Sequence, residues 1–337
     1  MTQDINMQWI TAICDHYEIG RPVGELKPVS GGLLHRMWEL RTTTGHFALK
    51  LLNPEIMSRE GVMANYMLSE RIAAAAAMVG IPVVSAKRVN DNPLNQISDT
   101  TVMLFDWIDG SVLAPSDCRK EHASMIGTVL HNIHHMNFRE QPVPVWKSFG
   151  PEHWKSLAEE GIRKGERWAQ QIDSGLPELL EWNERFVGAS SVLNQRLTVG
   201  HRDLNPKNVI WKERCHPYII DWEAAGPTNP TMELLDAALS WSGLDAGQVN
   251  KELFMAMINA YRKAGGNALT NVEEGFYGRM GGMLDWLEYN MRRSLSTDIF
   301  GESEQRLGTE QVQLTFSSLK ELAANIEVWS EWVNQGN

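Results

Sequence analysis

The sequence predicts an α+β chain of two unequal lobes, a small one built on an antiparallel sheet and a larger one that is mainly helical. Three observations carry this expectation. The first hundred or so residues alternate short extended runs with one helical stretch. After Gly110, apolar residues recur at helical spacing over long segments. Two short extended runs, 208–212 and 217–221, then interrupt the helical part. At 337 residues, 43% hydrophobic and 22% charged, the chain is long enough for two cores and has the composition of a folded protein.

From the N-terminus, Met7, Trp9, Ile10 and Ile13 form the apolar side of a short amphipathic helix. Asp4 and Asp15 and the missing basic region argue against a signal peptide. Runs 26–30, 35–41 and 46–51, separated by Gly31-Gly32 and by residues 42–45, read as adjacent antiparallel strands. Residues 58–78 read as a helix, because the alanines at 73–77 favour it and Gly80 and Pro82 stop it. Extended runs 83–89 and 101–107 follow. The short segment 106–111 is the expected boundary, giving an N-lobe of 1–106 and a C-lobe of 107–337. Beyond it, Met125, Ile126, Val129, Leu130 and Ile133, and the stripes within 234–241, 253–261 and 283–295, mark helices. The most apolar run, 72–84, is broken by Gly80 and Pro82 and falls short of the ~20 residues of a membrane span.

Lys+Arg 31 against Asp+Glu 42 gives a net charge of -11, which argues against nucleic acid or an anionic membrane as partner and favours a cationic or neutral small molecule. Most of the excess, -8, lies beyond residue 110, in the expected C-lobe. Cys14, Cys118 and Cys215 form no CxxC pair, so neither a zinc ribbon nor a disulfide framework is indicated, and a reducing, cytoplasmic location is expected.

The most informative stretch is His201-Arg202-Asp203-Leu204-Asn205-Pro206-Lys207-Asn208, followed by Ile219-Ile220-Asp221-Trp222-Glu223. It fits the catalytic-loop pattern H-R-D-x-x-x-x-N, with a second aspartate at the end of an apolar strand. Phosphoryl transfer from ATP needs a carboxylate near the acceptor hydroxyl and oxygen ligands that hold Mg²⁺ against the polyphosphate. Asp203 suits the first role, Asn208 and Asp221 the second. Phe47-Ala48-Leu49-Lys50 is an apolar strand ending in lysine, which places Lys50 on the α- and β-phosphates. Its expected helix partner is Glu70, with Glu60 as the alternative. Ser30, Gly31 and Gly32 occupy the place of a phosphate-covering loop.

These motifs resemble the aminoglycoside phosphotransferase and choline kinase family, the small-molecule branch of the protein-kinase-like fold, over most of the chain. The resemblance makes Phe105-Asp106-Trp107-Ile108-Asp109-Gly110 the hinge to adenine, with Phe105 and Trp107 as nucleotide-binding residues, and matches the helix ending near His134. Asp221-Trp222-Glu223 is also spelled as in this family, and no activation segment ending in Ala-Pro-Glu follows, so no protein substrate is expected. The implied cofactors are ATP, with GTP left open, and Mg²⁺. The implied acceptor is an aminoglycoside or similar cationic alcohol, which would make the chain an antibiotic kinase. A metabolic kinase for choline, an amino sugar or homoserine, and a nucleotide-binding pseudokinase, are the competing readings. Two features depart from the pattern: Arg202 follows the loop histidine, and the glycine loop lacks G-x-G-x-x-G.

His201 reads as a histidine that holds the loop by hydrogen bonds rather than as an acid or base. His131, His134 and His135 share a helical spacing, but without a Cys/His cluster they read as core rather than as metal ligands. Lys207 reads as a solvated charge, and Trp9, Trp38 and Trp146 as packing residues. Glu223, Asp285 and Glu288 are candidate acceptor-binding carboxylates, weighed against the plainer reading as solvated helix faces.

Overall fold

The computed structural model describes residues 6–29, 35–138, 147–244, 247–265, 269–296 and 301–335. Its first elements are α1 (Met7–His16), β1 (Lys27–Val29), β2 (Arg36–Arg41), β3 (His46–Leu51), α2 (Pro54–Met57), α3 (Val62–Met78), β4 (Asn95–Ile97) and β5 (Thr100–Asp106). Next come α4 (Lys120–His135), α5 (Pro151–Lys164), α6 (Ala169–Ser174), α7 (Leu176–Leu193), β6 (Thr198–Gly200), β7 (Val209–Lys212), β8 (His216–Ile219) and β9 (Gly226–Thr228). The chain closes with α8 (Pro230–Trp241), α9 (Lys251–Lys263), α10 (Val272–Leu295) and α11 (Glu302–Gln335). Among the described residues no helix is long and apolar enough to cross a membrane.

Two compact units result. The first holds Met1–Cys118, His135–Gln141 and His201–Gly226; the second holds Arg119–His134, Pro142–Gly200 and Pro227–Asn337. The catalytic-loop segment therefore groups with the N-terminal residues, whereas the sequence places it with the helical part. Backbone hydrogen bonds explain the grouping. Ile219 N–H donates to Pro82 O at 2.7 Å, Val84 N–H to Ile219 O at 2.9 Å, and Ser111 and Trp211 exchange a pair at 3.2 and 2.9 Å. Gly110 belongs to the same junction, since a Cβ there would lie 2.6 Å from the Trp211 carbonyl oxygen.

In the first unit the sheet order is β1-β2-β3-β5-β4, antiparallel throughout. Side chains alternate across β3. Phe47, Leu49 and Leu51 enter a core with Trp9, Ile10, Ile13 and Cys14 of α1 and with Val102 and Leu104 of β5, so Lys50 is turned to the opposite face. Asn6 caps α1 by accepting the Trp9 N–H at 2.9 Å. One expected strand does not form: run 83–89 makes only isolated bridges, while β4 takes the sheet edge. Its amides go to three different partners, Val84 to Ile219 O, Lys87 to Leu104 O and Ala86 to the Glu70 carboxylate, so no single ladder can assemble. Trp9 is buried in this core and Trp38 packs against it; Trp146 lies outside the described residues.

The second unit is a helical assembly in which α10 packs against α7, α8 and α11. Trp154, Trp168, Trp241, Phe254, Phe276 and Phe316 are fully buried there. The 34-residue α11 buries Val312, Phe316, Leu319, Leu322, Ile326, Trp329 and Val333, a stripe at three- and four-residue steps. His134 is fixed between the Tyr261 hydroxyl, 2.8 Å from Nδ1, and Glu233 Oε2, 3.1 Å from Nε2. It is thus a satisfied core histidine.

Candidate active site

The hairpin of β7 and β8 sets the frame. Val209 lies opposite Ile219 in its register. One step beyond, Ile220 N–H donates to Asn208 O at 3.0 Å, so Asn208 and Asp221 emerge together at the open end. The loop before β7 is held by His201, which is fully buried. Its Nε2–H donates to Ile220 O at 3.0 Å, its Nδ1 accepts the Asp203 N–H at 3.3 Å, and its ring meets Trp222 edge-on at 4.7 Å. All three contacts are structural, as expected from the sequence. Arg202 and Asp221 both adopt left-handed backbone, with φ of 65° and 60°, conformations that non-glycine residues hold only when their surroundings over-determine them.

Asp203 is oriented by two amides. Asn205 Nδ2 donates to its Oδ1 at 2.6 Å, and Asn208 Nδ2 donates to its Oδ2 at 2.7 Å and to its carbonyl at 2.8 Å. Burial raises the Asp203 carboxyl above its ordinary value, against the opposing pull of Lys207, His201 and the Asn208 hydrogen bond. A fixed carboxylate with raised basicity is suited to accept a proton. Lys207 is exposed, as a solvated charge should be.

Because the Asn208 amide nitrogen is engaged by Asp203, its Oδ1 is the pole left for another ligand. With the Asp221 carboxylate it forms a pair of hard oxygens, the donor type Mg²⁺ takes while phosphate and water fill its other positions. Among the described residues no group of three or more His, Cys, Asp or Glu side chains could hold a metal. Two protein oxygens plus phosphate fit the ion, whereas an all-protein cage is not built.

Lys50 is where the structure corrects the sequence. Its ammonium donates to Asp221 Oδ1 at 2.8 Å and to Glu223 Oε2 at 2.6 Å, not to Glu70. Glu70 is buried on α3, and its carboxylate accepts the Ala86 N–H at 3.0 Å, which turns it to the 83–89 segment. The alternative partner, Glu60, is exposed. Burial works against the charge on Lys50, but Glu223 and Asp221 outweigh it and hold the ammonium above its ordinary value. Burial likewise would raise Asp221, yet Lys50 holds that carboxyl below the usual range.

Glu223 is a member of this cluster rather than an isolated acceptor-facing carboxylate. Tyr66 O–H donates to Glu223 Oε2 at 3.0 Å, and His35 Nε2 lies 2.5 Å from the Tyr66 oxygen. His35 Nδ1 accepts the Asn53 N–H at 2.9 Å, which puts the ring proton on Nε2. Burial, the largest influence, pushes His35 down to about 4, so the ring is neutral. Tyr66 and His35 were not legible as site residues. The available signal was that Tyr66 precedes Glu70 by four residues and so shares its helix face.

The remaining expected residues are placed as follows. Phe105 pairs with Ala48 in the sheet. Trp107 N–H donates to His46 O at 3.0 Å and its ring stacks on His46 at 4.6 Å, so that amide is not available to a bound base. Ser30, Gly31 and Gly32 lie outside the described residues. On α10, in the second unit, Asp285 pairs with Lys147 at 3.4 Å and Glu288 accepts from His153 Nε2 at 3.0 Å.

The chain matches the model of the APH phosphotransferase enzyme family over residues 25–266. No curated protein matches it in sequence. Among solved structures, it resembles a spectinomycin phosphotransferase in complex with ADP and spectinomycin, at 14% identity and a TM-score of 0.72, covering 96% of this chain and 99% of that one. A choline kinase from Cryptosporidium parvum Iowa II gives 12% identity and a TM-score of 0.60, covering 97% and 99%. A macrolide 2'-phosphotransferase from Brachybacterium faecium gives 14% and 0.55, covering 91% and 97%. These likenesses show the shared protein-kinase-like fold. With the family match spanning well over half of the chain, the protein belongs to the APH phosphotransferase family and is a small-molecule phosphotransferase acting on hydroxyl groups.

Proposed function

We propose that the chain transfers the γ-phosphate of ATP to a hydroxyl of a small cationic acceptor, of the aminoglycoside type, in the cytoplasm. The observation that carries this reading is the Asp203 carboxylate, fixed by Asn205 and Asn208 beside the hairpin end that brings Asn208 and Asp221 together. Asp203 accepts the proton of the acceptor hydroxyl as the oxygen attacks the γ-phosphorus and the bond to the β,γ-bridging oxygen breaks. Lys50 exchanges Asp221 for the α- and β-phosphates while Glu223 keeps hold of the ammonium. Asn208 Oδ1 and Asp221 hold Mg²⁺, which when bound neutralises the charge of the polyphosphate.

The net charge of -11 favours a cationic acceptor, and Asp285 and Glu288 on α10 are the carboxylates proposed to read it. That charge suits an aminoglycoside and equally a choline-like metabolite, so the metabolic-kinase reading is kept as the second arm of one experiment. ATP and GTP consumption is measured with Mg²⁺ across aminoglycosides, macrolides, choline, homoserine and amino sugars. Magnesium-dependent turnover with an aminoglycoside supports the first reading, and turnover confined to choline or another metabolite replaces it with the second. Nucleotide binding without turnover of any acceptor leaves a pseudokinase.

A further inference from the structure

Resting on the phosphotransferase reading, we infer that Tyr66, itself held by His35, is the positioning residue that lets Glu223 serve as the carboxylate partner of Lys50, the place the sequence assigns to a glutamate of the helix itself. The helix that carries the expected partner, α3, does not deliver it: Glu70 is turned to Ala86 N. What α3 presents to the lysine cluster is Tyr66, one turn earlier on the same face. The helix packs on the short 3₁₀ turn Trp222–Ala224, which brings the Tyr66 hydroxyl to Glu223 Oε2 at 3.0 Å.

Every donor and acceptor in this chain is assigned. Asn53 N–H donates to His35 Nδ1, His35 Nε2–H donates to the Tyr66 oxygen, and Tyr66 O–H donates to Glu223 Oε2, the atom that also accepts from Lys50. The tyrosine proton therefore has one direction to point, because its oxygen already accepts from His35. Both residues are more than nine-tenths buried, at 6% and 8% exposure, so the bond between them is shielded from water, while the Glu223 side chain that ends the relay is 24% exposed. A free glutamate in the middle of a three-residue turn has several rotamers; one anchored by a buried hydroxyl has its oxygen fixed where the ammonium meets it. Helix α3 thus acts on the lysine through a relay of Tyr66 and Glu223.

The test uses the full chain and two single variants, Tyr66→Phe and Glu223→Gln, with their double variant. Affinity for ADP and for a non-hydrolysable ATP analogue is read by calorimetry, alongside kcat and KM for ATP. Losing a buried hydrogen bond to a charged group is expected to weaken analogue binding by about tenfold in Tyr66→Phe, raising KM more than it lowers kcat. In the Glu223→Gln background the same change is expected to have little further effect, because both act through one atom. Equal analogue affinity in wild type and Tyr66→Phe, or full additivity in the double variant, overturns the role of Tyr66 and leaves the phosphotransferase reading intact. Glu223→Gln, at a partly exposed side chain, gives a second route should Tyr66→Phe lower the yield of folded protein: unchanged analogue binding there overturns the relay as well. A wild-type chain that binds neither nucleotide overturns both readings together.

Discussion

Replacing Lys50 with methionine removes a cation whose side chain is 10% exposed from between two carboxylates, while keeping most of its apolar stem. The ammonium donates to Asp221 at 2.8 Å and to Glu223 at 2.6 Å. Removing one partner of a buried ion pair costs about 3–5 kcal/mol. Here the side chains of Asp221 and Glu223 are 36% and 24% exposed, so water recovers part of the loss and the lower end, ~3 kcal/mol, applies. At about 2–4 °C per kcal/mol for a unit of this size, melting falls by roughly 6–12 °C. The pH dependence has a definite sign. Lys50 is held above its ordinary value and Asp221 below its own, so the pair is fully present between the ordinary carboxylate and lysine values. Its contribution is lost as pH falls through the lowered Asp221 value or rises through the raised Lys50 value. Scanning calorimetry of both proteins at neutral pH and at successively more acid pH reads this directly. The gap should be widest at neutral pH and close on acidification; an unchanged melting temperature, or a gap that widens in acid, refutes the reasoning.

Glu70→Gln should leave nucleotide affinity unchanged, since Glu70 is not the lysine's partner and glutamine can still accept the Ala86 N–H. Burial raises the Glu70 carboxyl, so the folded protein holds that proton more tightly than the unfolded chain and loses stability as pH rises from the ordinary to the raised value. The variant, having no proton to lose, should show less of that decline in denaturant titrations at successive pH. In the second unit, Gly127→Ala should destabilise despite alanine's better helix propensity of ~1 kcal/mol. The new Cβ would lie 2.4 Å from the Met257 carbonyl oxygen of α9, a backbone atom that cannot rotate away. A net loss of about 1–3 kcal/mol in equilibrium unfolding is expected, and a gain in stability would show that α4 and α9 can part at no cost.

The fold was legible wherever one periodicity ran without competition. The apolar run of β3 and the alanine run of α3 were read directly, because neither competes with a second pattern: β3 pairs along its length with β2 and β5, and α3 closes its hydrogen bonds within the helix. Run 83–89 misled for the opposite reason: its residue types suit a strand, but its amides are divided among Ile219, Leu104 and Glu70, partners far away in sequence. Helix α11 has a stripe broken by polar residues such as Lys320, Glu321 and Asn325, and its burial depends on α10. In the site, Asp203, Asn208 and Asp221 were legible because a fixed spacing places them at one hairpin end. The lysine's partner was not. Which carboxylate reaches Lys50 depends on how the Trp222–Ala224 turn packs against α3, and no spacing along the chain records that contact.

The most direct test of the phosphotransferase mechanism is single-turnover phosphate transfer from ATP, with Mg²⁺, by the wild type and by Asp203→Asn. The wild type should place phosphate on a hydroxyl of a small cationic acceptor. The variant should bind the ATP analogue as the wild type does while transferring phosphate slower by about 10²–10⁴. Transfer by Asp203→Asn at the wild-type rate would contradict the assignment of Asp203 as the base that takes the hydroxyl proton.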